Sequence, residues 1–179
     1  MLVIGCGAVG LNALQGARLA GAGTIIAADV GTAKLERARA FGATHAVDAG
    51  AADVVDQVLA LTNGRGADHV FEAAGHPAAF RLSVEAVRPA GQVVWLGKIN
   101  VNQDVSFRWG SLMGEKRIVR SSYGDALPKR DFPWLCSLWL DGKLELDALI
   151  TRRIGLDQIN DGFAGLARGE GIRTVIEFA

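Results

Sequence analysis

Short apolar runs, often β-branched, alternate through the first two thirds of the chain with stretches whose apolar positions recur at helical spacing. LVIG at 2–5 predicts a strand, and residues 8–20 a helix with Gly10, Ala13, Ala17 and Ala20 on one face. TIIAAD at 24–29 reads as the second strand, and Leu35, Ala38 and Phe41 mark the helix after it. THAVDA at 44–49 is a short third strand, followed by a helix with Val54, Val58 and Leu61 at helical spacing. DHVFEAAG at 68–75 and QVVWLG at 92–97 are the next two strands, with a helix around 78–87 between them. Strand–helix alternation at this pitch implies right-handed parallel crossovers, hence an α/β doubly wound parallel sheet. The apolar strands agree, because helices would cover both faces of such a sheet.

After about residue 98 the rhythm weakens. KRIVRSS at 116–122 predicts a sixth strand. A helix is expected from near Phe132, with Pro133 in its first turn. LDQINDGFAGLARGEG at 156–171 predicts another helix ending in glycines, and IRTVIEFA closes the chain as a strand. The expected division is a Rossmann domain over residues 1–124 and a second segment over 125–179.

The first predicted strand runs straight into Gly5, Gly7 and Gly10, which fit G-x-G-x-x-G, and Asp29 stands nineteen positions beyond Gly10 at the end of the second strand. That combination is a dinucleotide-binding fingerprint. Its first glycine permits the tight turn, its second lets backbone approach a pyrophosphate, and its third lets helix and strand pack closely. Backbone N–H groups at the helix start favour phosphate oxygens. Asp29 can accept hydrogen bonds from ribose hydroxyls and would repel a 2′-phosphate, which favours NAD over NADP. The same aspartate could instead cap a turn. Lys34 is placed either to touch the ribose or to lie in solvent.

Composition narrows the function classes. The 179 residues carry 19 basic and 19 acidic side chains, and no basic tract exceeds Lys129-Arg130 or Arg152-Arg153, so a nucleic-acid partner is not expected. No apolar stretch reaches the length of a membrane helix, and a cytoplasmic location is the expectation. Cys6 and Cys136 match no metal or redox spacing. A small residue is needed between two of the motif glycines, so Cys6 reads as structural rather than nucleophilic. His45, His69 and His76 share no metal-ligand spacing. His69 reads as a hydrogen-bonded histidine of a buried strand, whereas His76 follows a strand's C-terminal end, the edge where ligands bind in this architecture. No catalytic residue and no metal ligand is assigned.

With the glycine loop, Asp29, Lys34, KLERARAFGATHAVDA, GADHVFEAAG, GQVVWLGK and LDQINDGFAGLARGEGIRTVIEF taken together, the chain resembles the zinc-type alcohol dehydrogenases of the medium-chain dehydrogenase/reductase superfamily over essentially its whole length. SSYGDALPKRDFPWLCSLWLDGKL is similar to bacterial members near the class III, thiol-adduct-oxidising branch. The resemblance implies that Gly5, Gly7, Ala8, Val9 and Gly10 cradle the pyrophosphate while Asp29 and Lys34 hold the adenosine ribose. It places Ala73 and Ala74 beside the adenosine half, and Leu96 and Gly97 near the nicotinamide. Ser121 and Tyr123 would approach the carboxamide, and Arg173 would pair with the pyrophosphate. The implied ligands are NAD and a small alcohol, with an S-hydroxymethyl thiol as the candidate that the class III likeness suggests. Residues 98–119 resemble a segment that pairs subunits, which implies a homo-oligomer.

The departures set further expectations. The family's zinc ligands and its G-H-E signature lie upstream of the segment seen here, so zinc belongs to the full-length family and an N-terminal catalytic domain is expected to be missing. The segment 125–179 would return to that domain, leaving Phe132, Leu135 and Trp139 partly uncovered. The isolated chain would then bind NAD with little or no turnover. The alternatives are a non-catalytic NAD-sensing module, a fragment of a zinc-free reductase favouring NADPH, and, more distantly, a methyltransferase with a similar glycine loop.

Overall fold

The fold was obtained as a computed structural model that describes residues 1–178. The chain forms two compact units, Met1–Leu127 and Pro128–Ala179. In the first, six parallel strands are hydrogen-bonded in the order β3-β2-β1-β4-β5-β6. These are β1 (Leu2–Ile4), β2 (Ile26–Asp29), β3 (His45–Asp48), β4 (Ala67–Glu72), β5 (Val87–Trp95) and β6 (Arg117–Arg120). The order reverses between β1 and β4, which creates a switch point at their C-terminal ends.

Helices α1 (Ala8–Leu19), α2 (Thr32–Ala40), α3 (Val54–Leu61) and α4 (Pro77–Ala86) make the crossovers. Side chains alternate across a strand, so Leu2 and Ile4 face one way and Val3 the other. Leu2, Ile4, Ile26, Ala28 and Val70 join Val54 and Val58 of α3 and Leu82 of α4 in one core. Val3 is equally buried on the opposite side, where it packs near Gly10 of α1. Both faces are covered, which is why β1 and β2 carry no exposed residue before Val30. Trp95 clamps α4 to the end of β5: its Nε1–H donates to Ser83 Oγ at 3.0 Å, and its ring meets Phe80 edge-on and stacks on Phe107.

The second unit pairs β7 (Ile150–Gly155) in parallel with β8 (Arg173–Glu177), connected through α6 (Ile159–Ala167). Leu144, Leu149 and Ile154 are its buried apolar residues. Helix α5 (Pro128–Leu140) presents Phe132, Trp134, Leu135 and Trp139 exposed, and no residue of it is fully buried.

Three expectations are corrected, and one strand was not anticipated. The buried face of α1 is Gly10, Leu11, Leu14, Gln15 and Ala17, whereas Ala20 lies past the helix end and is exposed. Gly10 and Ala17 of the expected stripe are buried beside the leucines, and Ala13 is half-buried. His69 is exposed. It precedes Val70, the first residue of β4 with a partner on β1, and lies where the β4–β5 register shifts. Helix α5 starts at Pro128, so Pro133 lies inside it and removes the bond its amide would give the Lys129 carbonyl. Strand β7 carried no sequence signal, because ITRRIG has two adjacent arginines where alternation would be sought. Of the predicted closing strand, Ala179 lies outside the described residues.

Candidate dinucleotide site

The site is built at the switch point. Gly5 leaves β1 with φ +93°, a left-handed conformation that side chains resist, and a Cβ there would lie 2.6 Å from the Ala74 amide nitrogen. Gly10, in the first turn of α1, abuts the loop so tightly that a Cβ would lie 2.9 Å from the carbonyl carbon of Gly5 and closer still to its oxygen. Gly7 differs from both. It is the N-cap of α1 with φ −76° and ψ −171°, no side chain caps the helix, and a Cβ on it would meet nothing within 4 Å. The first amides of α1 therefore face open space beside Gly7.

Asp29 ties the glycine loop to the end of β2. Its Oδ2 accepts from the Cys6 amide at 2.7 Å, and its Oδ1 accepts from the Gly31 amide at 2.9 Å. Lys34 Nζ stands 3.8 Å from Oδ1. Each carboxylate oxygen keeps further lone pairs, so ribose hydroxyls can be added without breaking these bonds. Cys6 is buried behind the loop, with Sγ 3.9 Å from the Ala28 carbonyl oxygen. Burial, followed by the neighbouring Asp29 charge, pushes its thiol up to about 12, so it is no nucleophile at neutral pH.

Gly5, Gly7, Asp29, Lys34, Ala73 and Ala74 line one cavity of about 470 Å³. Its far wall comes from α4 and the residue before it. His76 caps α4, its Nδ1 accepting from the Ala78 amide at 3.2 Å, and lines the same cavity. Val30, 75% exposed, forms the rim beside Asp29.

The other candidate residues lie apart from this wall. Ala8, Val9 and Gly10 form the first turn of α1. Leu96 and Gly97 follow β5, with their amides donating to the Glu72 carbonyl at 2.8 and 3.0 Å. The Ser121 amide donates to the Trp95 carbonyl at 3.1 Å, and Tyr123 is exposed with φ +59°. Arg173 begins β8 in the second unit.

Residues 8–140 match the zinc-binding dehydrogenase family. The chain belongs to that family. An S-(hydroxymethyl)glutathione dehydrogenase from Paracoccus denitrificans is 35% identical over 98% of this chain and 48% of its own length. An alcohol dehydrogenase zinc-binding domain protein from Burkholderia ambifaria superposes with a TM-score of 0.92 at 33% identity, over 99% of this chain and 48% of its own. A benzyl alcohol dehydrogenase from Acinetobacter calcoaceticus gives 0.93 at 30% identity, over 99% of this chain and 49% of its own. The chain thus spans about half the length of the curated relatives it matches.

The family's two groups fare differently against these residues. A dinucleotide fits: α1 starts at Gly7 without a side-chain cap and with open space in front of it, and an anchored carboxylate stands one strand away. Zinc does not: among the described residues no group of three or more His, Cys, Asp or Glu side chains is arranged to hold a metal ion. Among the same residues no helix is long and apolar enough to cross a membrane.

Sequence reasoning passed over Glu72. It closes β4, is 0% exposed, and has a carboxyl oxygen without a partner. A glutamate ending a buried strand was the available signal.

Proposed function

We propose that this chain binds NAD at the switch-point cavity and is the dinucleotide-binding portion of an alcohol dehydrogenase. The observation that carries the reading is the different surroundings of the three motif glycines. The Cβ positions of Gly5 and Gly10 are filled by backbone, whereas that of Gly7 is open, and Gly7 lines the cavity. A loop shaped only for packing would have no reason to keep the second position bare.

The chain's own residues then divide the work. The amides of the α1 first turn take the diphosphate oxygens, helped by the positive end of the helix. Asp29, held rigid by the Cys6 and Gly31 amides, accepts the ribose hydroxyls. Lys34 offsets part of its charge. Ala73 and Ala74 give a flat apolar wall close to the loop. When bound, the nicotinamide supplies hydride acceptance, and the protein supplies its position. The substrate proposed is a small alcohol, with an S-hydroxymethyl thiol adduct favoured by the likeness to S-(hydroxymethyl)glutathione dehydrogenases.

Fluorescence or calorimetric titration of the purified chain tests the reading. Saturable NADH binding is expected, with NADPH weaker by at least about tenfold, or about 1.4 kcal/mol. Absence of saturable NADH binding at about 1 mM would remove the proposal.

A further inference from the structure

The buried carboxyl of Glu72 has no place in the binding scheme above. Its Oε1 accepts two amides of the turn that follows β4, Ala74 at 2.9 Å and Gly75 at 2.7 Å. Its backbone carbonyl accepts two amides of the β5 exit, Leu96 at 2.8 Å and Gly97 at 3.0 Å. Oε2 is buried without a hydrogen-bond partner and points at Gly97, where an added Cβ would overlap both that oxygen and the backbone of Gly75. One residue therefore gathers four amides from two separate loops. The first of these loops, through Ala73 and Ala74, lines the cavity.

Burying a polar atom unpaired costs free energy, and native proteins seldom keep one without a use. We propose that Glu72 is a positioning residue for the dinucleotide: its carboxyl group locks the Ala73–Gly75 turn through the Ala74 and Gly75 amides and packs that turn against Gly97, at the β5 exit that its backbone carbonyl holds. The inference rests on the dinucleotide reading, and the lock itself can be measured without any ligand.

The lock works best with Glu72 neutral. Burial raises its proton affinity, and the amides of Gly75 and Ala74, with His76, only partly counter that. His76 on the α4 side is the titratable group that acts on it, and on the β6 side Arg120 reaches the same exit, its guanidinium donating to the Gly97 carbonyl at 3.2 Å. A carboxyl with a raised folded pKa contributes stability that is complete below its unfolded value and is lost as pH rises through the folded one. Ionisation places an unpaired charge on Oε2 against Gly97 and loosens the exit of β5.

The experiment compares wild type, Glu72→Gln and Glu72→Ala by NADH affinity and by thermal midpoint without ligand, from about pH 5 to about pH 9. Glutamine keeps an acceptor for the two turn amides and cannot ionise. Glu72→Gln should bind within about threefold of wild type at the acid end, and its affinity and midpoint should lose the wild-type decline with pH. Glu72→Ala, if folded by circular dichroism, should bind at least about tenfold more weakly. Folded Glu72→Ala binding like wild type overturns the proposal, and so does Glu72→Gln keeping the wild-type pH slope. The second criterion decides the matter if the alanine variant does not fold. Should wild type itself take up no NADH, the dinucleotide reading fails and amide exchange decides the lock. Faster exchange at Ala74, Gly75, Leu96 and Gly97 together in a variant supports it, and acceleration confined to Ala74 and Gly75 overturns it.

Discussion

Replacing each of two motif glycines by alanine separates binding from folding. At Gly7 the backbone is extended, and a methyl group would contact nothing within 4 Å. Two stability terms oppose each other there. Alanine narrows the unfolded ensemble and contributes about 0.4–1 kcal/mol. It is also a poorer N-cap than glycine, which costs up to about 1 kcal/mol. The net should lie within about 1 kcal/mol of zero, or about 4 °C in midpoint for a chain of this size. For the ligand the same methyl occupies the space in front of the α1 amides, holding phosphate oxygens beyond hydrogen-bond distance. Losing one charge-assisted bond removes about 1.5–3 kcal/mol, so NADH affinity should fall roughly 10- to 100-fold. At Gly10 the methyl would lie 2.9 Å from the Gly5 carbonyl carbon and nearer its oxygen, both of them backbone. The helix must move off β1, and Gly10→Ala should unfold the first unit or lower its midpoint by more than 10 °C, on the order of several kcal/mol. Differential scanning fluorimetry and NADH titration of both variants give the answer. A Gly7→Ala protein that melts normally and binds NADH unchanged would refute the phosphate cradle.

Asp29→Asn should narrow NADH over NADPH selectivity from roughly 100-fold to under about tenfold, because like charges near 4 Å interact by about 4 kcal/mol at intermediate dielectric and the Lys34 contact offsets only part of that. The variant should also lose about 1 kcal/mol of stability, since asparagine offers one acceptor oxygen to the Cys6 and Gly31 amides; unchanged selectivity in dual titrations would count against Asp29 as the selector. At about pH 8 a thiol reagent such as dithionitrobenzoate should label exposed Cys136 promptly and buried Cys6 roughly a thousandfold more slowly, with full labelling only on unfolding. Equal rates in the native chain would show that the glycine loop opens freely.

Much of the first unit was legible because each level of the sequence pointed the same way. Strands such as LVI and IAAD are buried on both faces, so periodicity and composition agree with a parallel sheet, and the glycine spacing fixes the turn that follows. His69 was misread for a reason pattern alone cannot supply. Its exposure depends on where β1 begins, which is a property of the neighbouring strand. The carboxylate of Asp29 was read as a ribose ligand, but its second task, bonding the Cys6 amide, became visible only when residues 23 positions apart met.

The second unit was less legible, and the reason lies in α5 and β7. Phe132, at 60% exposed, with Leu135 and Trp139, lies uncovered as expected, whereas the start of α5 at Pro128 and the strand β7 were missed. The arginines of β7 are exposed as well, with Arg153 Nη1 donating to Glu177 Oε1 at 2.8 Å on β8. Glu72 makes the complementary case within the first unit: a buried charge-bearing residue in an otherwise apolar strand end has no periodic signature. Its meaning follows from counting where the backbone amides of two loops go. Such a count gives the Ala74 and Gly75 amides to its side chain and the Leu96 and Gly97 amides to its backbone carbonyl, whereas the glycine fingerprint speaks only for the loop after β1.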